Sequence, residues 1–319
     1  ELWQNVKNTF VHSILGQIYI RMNKNILVLY YTQSGQLTEI VNSVTAPLIE
    51  AGAVVEKVLI KPKKDFPFPW TSDTFFDAMP ESALCIPVEL EEFSFQQNQY
   101  DLIIFAYQPW FLSPSIPASS MLQHPVVKKI MNNSSVITLI GARNMWLNSQ
   151  EKVKKLLQDA NATLVGNIAL VDKNNNHLSA VSILYWMLSG KKEKYTFFPK
   201  PGVSDTDING SSTFGKTILH FLNKGNWSGL QDALISQNAV DIKANLMFIE
   251  QRAGRLFSIW ANLIKGKKNR KPWVTAYKYY LLIALFIVAP IVIAVNEILF
   301  KPFLKKQINK KKQYYQGLN

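Results

Sequence analysis

A short segment near the start of the chain has the residue types and spacing of an anion-binding loop. Three hydroxyl side chains and one glycine fall within seven consecutive residues: Thr32, Gln33, Ser34, Gly35, Gln36, Leu37 and Thr38. Hydroxyl groups can donate hydrogen bonds to phosphate oxygens, and a glycine lets the backbone approach a ligand closely. These seven residues are therefore predicted to bind an anionic group.

The flanking sequence places this loop between a strand and a helix. Residues 26–31 form an unbroken apolar run of strand length, and apolar residues then recur at helical spacing at Ile40, Val41, Val44 and Leu48. The first N–H groups of a helix lack intrahelical partners and carry the positive end of its dipole, which attracts anions. The alternative is an ordinary connection between a strand and a helix.

Two later loops are predicted to face the same crevice. Each follows an apolar run, 100–107 or 135–140, and in an open parallel sheet the ligand lies beyond the carboxyl ends of the strands. Aromatic residues in the first loop can stack on a planar ring, and a cation in the second can stabilise an anion. The alternatives are core packing and a surface ion pair. The residues concerned are Pro109, Trp110, Phe111, Gly141, Ala142, Arg143 and Asn144.

The order of the apolar segments predicts an α/β fold with a doubly wound, five-stranded parallel sheet over residues 23–224. The predicted strands are 26–31, 53–60, 100–107, 135–140 and 163–171. Residues 61–99 interrupt this pattern with five prolines and many aromatics. Such an insertion is either an apolar wall for a substrate or a segment that packs on the core or on a partner in a homo-oligomer.

Candidate proton-transfer groups and metal ligands are few. His177 follows the last predicted strand, and an ordinary histidine pKa near 6.5 suits proton transfer, although a solvated loop histidine is the alternative. The sequence shows no cluster with metal-ligand spacing, so no metal is expected. Cys85 is the single cysteine, which fits a reducing compartment. Because Met22 lies just before the first strand, residues 1–21 are expected to be an upstream extension.

The net charge of +13 is concentrated in residues 225–319. From Asn226 onward there are 15 Lys/Arg and 4 Asp/Glu, leaving 35 − 15 = 20 basic and 22 − 4 = 18 acidic residues before it. The chain as a whole is therefore not expected to bind nucleic acid. Residues 230–264 have helical character and a basic end, which fits either a helix at an anionic lipid surface or one packed on the α/β domain.

Residues 279–300 are apolar except for Asn296 and Glu297 and are long enough to cross a bilayer. Six Lys/Arg lie in 265–278 and six more in 301–312, so the positive-inside rule gives no preferred side. Pro290 could kink the helix so that both ends return to one face. Membrane attachment is predicted, with single-span and re-entrant insertion both open.

The loop 32–38 resembles the phosphate-binding loop of flavodoxins and of flavodoxin-like quinone reductases. That resemblance implies FMN as the cofactor, with its phosphate at this loop. The family usually has a third hydroxyl where this chain has Leu37, and Thr38 follows directly.

The whole chain from Met22 onward also resembles the flavodoxin-like family of dialkylresorcinol condensing enzymes. The segments that carry this resemblance are YYTQSGQLTEI, FPWTSDTFFDAMPES, FAYQPWFLSPSIPAS, LIGARNMW and KYYLLIALFIVAPIV. The family accompanies a ketosynthase in bacterial pathways to dialkylresorcinols and flexirubin-type pigments. The resemblance implies FMN-dependent aromatisation of a dialkyl cyclohexane-1,3-dione at the cytoplasmic face of the bacterial inner membrane.

For that chemistry Arg143, Tyr107 and His177 are the candidate catalytic residues. They would orient the enolate and stabilise its oxygen while a base removes a ring proton. Two alternatives remain open at this point. The first is a membrane-associated NAD(P)H:quinone reductase, and the second is an electron-transfer or scaffold protein that recruits the ketosynthase.

Overall fold

The computed structural model describes residues 24–193 and 197–318, and the side chains of residues 176–177 and 299–302 lie outside the description. The predicted extension 1–21 therefore lies outside the described residues. One parallel sheet forms the centre of the molecule, with strand order β2-β1-β3-β6-β7. Its strands are β1 (Asn25–Tyr30), β2 (Val54–Leu59), β3 (Leu102–Tyr107), β6 (Ser135–Ala142) and β7 (Thr163–Val171). A small antiparallel pair, β4 (Pro109–Trp110) and β5 (Ser113–Pro114), follows β3.

This order confirms the predicted doubly wound α/β fold. When the five strands of this sheet are numbered 1 to 5 along the chain, their order is 2-1-3-4-5, which is that of flavodoxin-like sheets. All six residues of β3 are buried, as expected for a central strand covered on both faces. Tyr30 of β1 pairs with Ala106, and Tyr107 pairs with Ile140 of β6. The carboxyl ends of β1, β3 and β6 therefore lie side by side at one edge.

Helices cover both faces of the sheet and continue beyond it. In chain order they are α1 (Gln36–Glu50), α2 (Ser72–Asp77), α3 (Met79–Ala83), α4 (Ile116–Gln123), α5 (Pro125–Met131), α6 (Leu147–Asp159), α7 (Asn176–Ser189), α8 (Asp205–Gly210), α9 (Ser212–Lys224), α10 (Leu230–Ser236), α11 (Ala244–Ile264), α12 (Lys271–Ile283), α13 (Ala289–Val295) and α14 (Lys301–Gln316). The insertion 61–99 thus contains two short helices, α2 and α3. Residues 230–264 form two helices rather than one.

The C-terminal segment from Lys271 to Gln316 is one continuous helical run. Two five-residue π-helical segments, Ala284–Val288 and Asn296–Phe300, join α12 to α13 and α13 to α14. Within the stretch Lys271–Ile298, the most apolar 18-residue window has a mean hydropathy of 2.6, and only 6% of that window is buried. It is long and apolar enough to cross a membrane, which agrees with the composition of residues 279–300.

Helices α1 and α9 approach each other so closely that the contact requires a glycine. A Cβ atom added at Gly215 would lie 2.1 Å from the backbone oxygen of Val44. Since that neighbour is backbone and cannot rotate away, the two helices would have to separate. This contact fixes α1, and with it the loop that precedes α1.

Replacing Gly215 by alanine should lower the free energy of unfolding by about 1–3 kcal/mol, the usual cost of overpacking. Urea unfolding measures the change. Gly210→Ala is the matched control, because a Cβ at that glycine meets nothing within 4 Å. Equal stability of the two variants would contradict the close contact.

Candidate functional site

The carboxyl ends of β1, β3 and β6 enclose a small crevice of about 100 Å³. Helix α7 and the segment around Gly202 close its outer side. The residues that line it are Ser34, Gln36, Leu37, Ile40, Gln108, Gly141, Ala142, Arg143, Ile183, Trp186 and Gly202. The three loops predicted from the sequence therefore meet at one place.

The loop between β1 and α1 leaves a helix N-terminus without a side-chain cap. Gly35 occupies the N-cap position with a φ of 85°, a left-handed conformation that favours glycine. Its amide donates to Thr32 Oγ1 at 3.1 Å, and the first amide to donate back to Gly35 is that of Thr38, at 3.0 Å. The amides of Gln36 and Leu37 thus precede the first helical bond and suit an anion.

The two glutamines of this loop hold the segments that cover the crevice. Gln33 Nε2 donates to the backbone oxygens of Phe66 and Pro67 in the insertion, at 3.0 and 2.9 Å. Gln33 Oε1 accepts from the Tyr31 hydroxyl. The side chain of Gln33 is therefore engaged in fixing the insertion, although its backbone stays part of the loop.

Gln36 binds the second segment that covers the crevice, the one around Val203. Its Nε2 donates to the Val203 oxygen at 3.1 Å, and its Oε1 accepts from the Val203 amide at 3.0 Å. A Cβ at Gly202, where φ is 85°, would lie 2.6 Å from Gln36 Oε1. A glycine is thus required at position 202 for Gln36 to reach Val203. Leu37 also lines the crevice, and its side chain lies beside Gly141.

Arg143 is a buried cation at the end of β6. Burial lowers the pKa of Arg143 to about 10, while the nearby carboxylate of Asp172 favours the charged form. Asp172 is itself buried, and it accepts hydrogen bonds from the Ser179 hydroxyl at 2.7 Å and from the Asn174 amide at 2.9 Å. Arg143 therefore remains protonated at neutral pH and lines the crevice with a fixed positive charge.

Gln108 supplies a polar group that has no partner among the described residues. Its side-chain Nε2 is buried without a hydrogen-bond acceptor, and the residue lines the crevice directly after β3. A buried amide donor without an acceptor is costly, so a ligand oxygen at this position would be stabilising. Asn144 belongs to the same β6–α6 loop as Arg143 but is not among the lining residues.

Trp110 and Phe111 lie in an aromatic cluster rather than on the crevice wall. The Trp110 ring contacts Tyr31, Phe66 and Trp70 at centroid distances of 6.0, 5.1 and 5.3 Å. Phe111 packs on Phe75 at 4.8 Å. These two aromatics therefore pack with residues of the insertion, as in the core-packing alternative, and an apolar wall for a substrate stays a prediction.

The hairpin that carries them has an unusual backbone. Phe111 and Leu112 both have positive φ angles, 48° and 58°, between the two-residue strands β4 and β5. This is the φ pattern of a tight hairpin turn that usually contains glycine or asparagine. Pro109, predicted to bind the cofactor, opens this hairpin and pairs with Pro114.

Tyr107 lies inside the core. It has no exposed surface, and its hydroxyl donates to Gln150 Oε1 at 2.8 Å, while Gln150 Nε2 donates to Thr138 Oγ1 at 2.9 Å. The structure therefore does not bring the Tyr107 hydroxyl into the crevice beside Arg143. His177 is the second residue of α7, and its side chain lies outside the described residues.

A larger cavity of about 540 Å³ lies elsewhere, between the start of α11 and α14. No residue from the carboxyl end of a described strand lines it. Its walls are Ala244, Asn245, Glu297, Lys305, Ile308, Asn309 and Lys312. The crevice therefore remains the candidate site despite its smaller volume, because the fold directs the three loops to it.

Sequence reasoning missed several residues of the crevice. Gln108, which lines the crevice, and Asp172, whose charge acts on Arg143, directly follow predicted strands, and that position was the signal that could have found them. Trp186 and Gly202 come from α7 and a later loop, which cover the strand ends only in the folded chain. No sequence spacing relates these two residues to the loop 32–38.

Glu250 of α11 links the C-terminal helices to the β6–α6 loop. The backbone amides of Trp146, Leu147 and Asn148 donate to its carboxylate, with 2.8 Å for Asn148. The Glu250 carboxylate thereby accepts from the amides at the N-terminus of α6. These hydrogen bonds lower the pKa of Glu250, but burial outweighs them and raises it to about 8. The loop with Arg143 is thus fixed from both the sheet and α11.

Solved structures with a similar fold include flavoproteins. Three of them are a flavoprotein in complex with FMN from Lactobacillus acidophilus NCFM (15% identity, 46% of this chain and 93% of that chain, TM-score 0.38), a putative flavoprotein of Bacteroides eggerthii DSM 20697 (16%, 53% and 100%, 0.34) and the two-electron reduced flavodoxin of Megasphaera elsdenii (15%, 52% and 99%, 0.28). No protein-family model and no curated protein matches the sequence. The fold assignment therefore rests on the sheet order described above.

The raised pKa of Glu250 predicts a pH-dependent stability. Between the ordinary value of 4.5 and about 8 the folded protein holds a proton that the unfolded chain has lost, so stability falls as pH rises through this window. Urea unfolding should therefore show less stability at about pH 9 than at about pH 5. Glu250→Gln cannot ionise and should flatten this difference, whereas the exposed control Glu91→Gln should keep it. An unchanged pH slope in Glu250→Gln would contradict the assignment.

Proposed function

We propose that this chain is an FMN-dependent oxidoreductase. The observation that carries the proposal is the uncapped N-terminus of α1 at the carboxyl edge of a 2-1-3-4-5 sheet. In this fold, FMN binds at that switch point of the strand order. The resemblance of the loop 32–38 to flavodoxin loops adds support.

The residues present fit the phosphate end of FMN. The hydroxyls of Ser34 and Thr38 and the amides of Gln36 and Leu37 would hold the phosphate, and the unpartnered Gln108 Nε2 offers a donor to a ring or substrate oxygen. The crevice of about 100 Å³ is smaller than the roughly 300–1,000 Å³ of ligand pockets. The crevice therefore suits the phosphate end of the cofactor and does not by itself enclose the ring.

We propose further that the reaction is the aromatisation of a dialkyl cyclohexane-1,3-dione to a dialkylresorcinol. The ring loses two electrons and two protons, as one hydride and one proton. FMN, when bound, supplies the acceptor for the hydride. Arg143, a cation that lines the crevice, would stabilise the enolate oxygen formed when the ring loses its proton.

The aromatic cluster supports an apolar substrate. Phe66, Trp70, Phe75 and Trp110 pack together beside the loop 32–38, and the insertion that supplies three of them is attached to that loop through Gln33. Alkyl tails would meet this apolar surface. A ketosynthase that supplies the dione, and a position at the cytoplasmic face of the bacterial inner membrane, complete the proposal.

Removing two hydroxyls from the loop should weaken FMN binding. Ser34→Ala combined with Thr38→Ala loses hydrogen bonds to a charged group, each about 1.5–3 kcal/mol, so the Kd for FMN should rise about 10²- to 10⁴-fold. Fluorescence titration of the full chain in mild detergent measures it. Ser43→Ala is the control and should leave the Kd unchanged, because that hydroxyl lies further along α1 and donates to the backbone oxygen of Asn209.

Anaerobic addition of a dialkyl cyclohexane-1,3-dione tests the reaction. Loss of the oxidised-flavin absorption together with formation of the resorcinol is the expected result. In Arg143→Gln the rate should fall by about 10²–10³, the usual cost of one oxyanion-stabilising group, with FMN content retained. Flavin that is reduced only by NAD(P)H, with no resorcinol, would contradict aromatisation and favour a quinone reductase.

A further inference from the structure

The apolar helical run carries a row of exposed apolar side chains along its length, and Phe286 and Val288 beside this row are exposed as well. Tyr279, Ile283, Ile287, Ile291, Val295 and Ile298 follow one another at intervals of three or four residues, and each is between 42% and 73% exposed. The π-helical segments have more residues per turn, so this spacing keeps the side chains on one face. We call these six residues the apolar stripe.

The N-terminal end of this run is attached to the insertion. Arg270 donates to both carboxylate oxygens of Glu81 at 2.9 Å and pairs with Asp77. Lys278 Nζ donates to Ser72 Oγ at 2.8 Å. Tyr277 is fully buried against the aromatic rings of α2 and the β4–β5 hairpin. The start of the run is therefore bound to the globular body.

The C-terminal end of the run is attached to the same body on the side of β7. Gln231 Nε2 of α10 donates to the backbone oxygen of Gln316 at 2.8 Å, and the Tyr314 hydroxyl donates to Glu151 of α6 at 2.6 Å. Tyr315 accepts from Gln251 of α11 at 3.0 Å. Ile308 and Tyr315 also pack on the main hydrophobic core.

The attachment of both ends to the globular body limits how the run can lie in a bilayer. A helix that crosses the membrane has its two ends on opposite faces, separated by a hydrocarbon core of about 30 Å. Here both ends are bound to one globular body, which lies on one side only. A crossing would therefore break the contacts of at least one end.

We infer that the run lies in the plane of an anionic membrane surface, with the apolar stripe embedded and both ends on the cytoplasmic side. The two flanks each hold six Lys/Arg and no Asp/Glu, in 265–278 and 301–312. This symmetry gives no orientation to a spanning helix but matches a helix with both flanks at anionic headgroups. The inference rests on the membrane association proposed above, and not on the redox chemistry.

Helix α11 widens this membrane surface. Leu256, Ile259 and Leu263 are exposed at a spacing of three and four residues, whereas Phe257 and Trp260 on another face pack on Tyr277. A second exposed apolar row thus lies on a helix that packs against α12. Embedding both rows buries more apolar area than one helix alone, which strengthens interfacial binding.

Flotation with vesicles tests the binding. The full chain should float with phosphatidylcholine vesicles that contain phosphatidylglycerol, more weakly without this anionic lipid and in high salt. Ile287→Glu combined with Ile291→Glu should weaken binding about 100-fold or more, since each buried CH₂ contributes about 0.8 kcal/mol. Ile49→Glu, an exposed isoleucine of α1, is the control and should bind normally.

Cysteine labelling tests the in-plane position. Lys268→Cys and Lys310→Cys, each in a Cys85→Ser background, are expressed in bacteria, and inverted inner-membrane vesicles are treated with an impermeant maleimide. Both positions should react without detergent, because both flanks lie on the outer face of such vesicles. One position that reacts only after detergent would overturn the in-plane inference and leave membrane association standing. Absence of binding to any vesicle would overturn both, without affecting the flavin experiments.

Discussion

The structure depends on the parallel register that brings the ends of β1, β3 and β6 to one edge. A parallel pair needs a crossover for every strand, so each chain reversal at this edge begins with a loop and ends in a helix N-terminus. Polar backbone groups are thereby gathered at one place, while the strands themselves are apolar and largely buried. The crevice is a direct consequence of this register, and the side chains at its edge decide its chemistry.

The loop 32–38 has two roles, one as the proposed anion site and one in holding the two segments that cover the crevice. Its backbone amides and hydroxyls form the proposed anion site, whereas Gln33 and Gln36 bind the insertion and the segment at Val203. The insertion is held in addition by the Trp70 amide, which donates to the Met187 oxygen at 2.7 Å, and by aromatic packing on Trp110. The Val203 side chain is itself part of the main hydrophobic core. The glutamine hydrogen bonds, each worth about 1 kcal/mol, therefore add to packing that already fixes both segments.

Sequence reasoning recovered what depends on local pattern. The strand 163–171 and the helix after Gly35 follow from apolar runs and spacing, because burial on both faces demands them. The positions of Tyr107 and Phe111 could not be found in this way. Tyr107 directs its hydroxyl to Gln150, and Phe111 packs on Phe75 from a distant insertion, so both placements depend on tertiary contacts that spacing does not encode.

The crevice and the apolar run are connected by aromatic packing. Tyr277 of α12 contacts Phe111 at a centroid distance of 6.4 Å, and Phe111 contacts Phe75, which packs on Trp70 at 5.8 Å. Trp70 in turn contacts Trp110, which lies against Tyr31 at the start of the loop 32–38. Aromatic side chains bury large apolar areas and prefer offset or edge-to-face contacts. The apolar run and the loop 32–38 therefore share one aromatic cluster, which couples the position of α12 to that of the crevice.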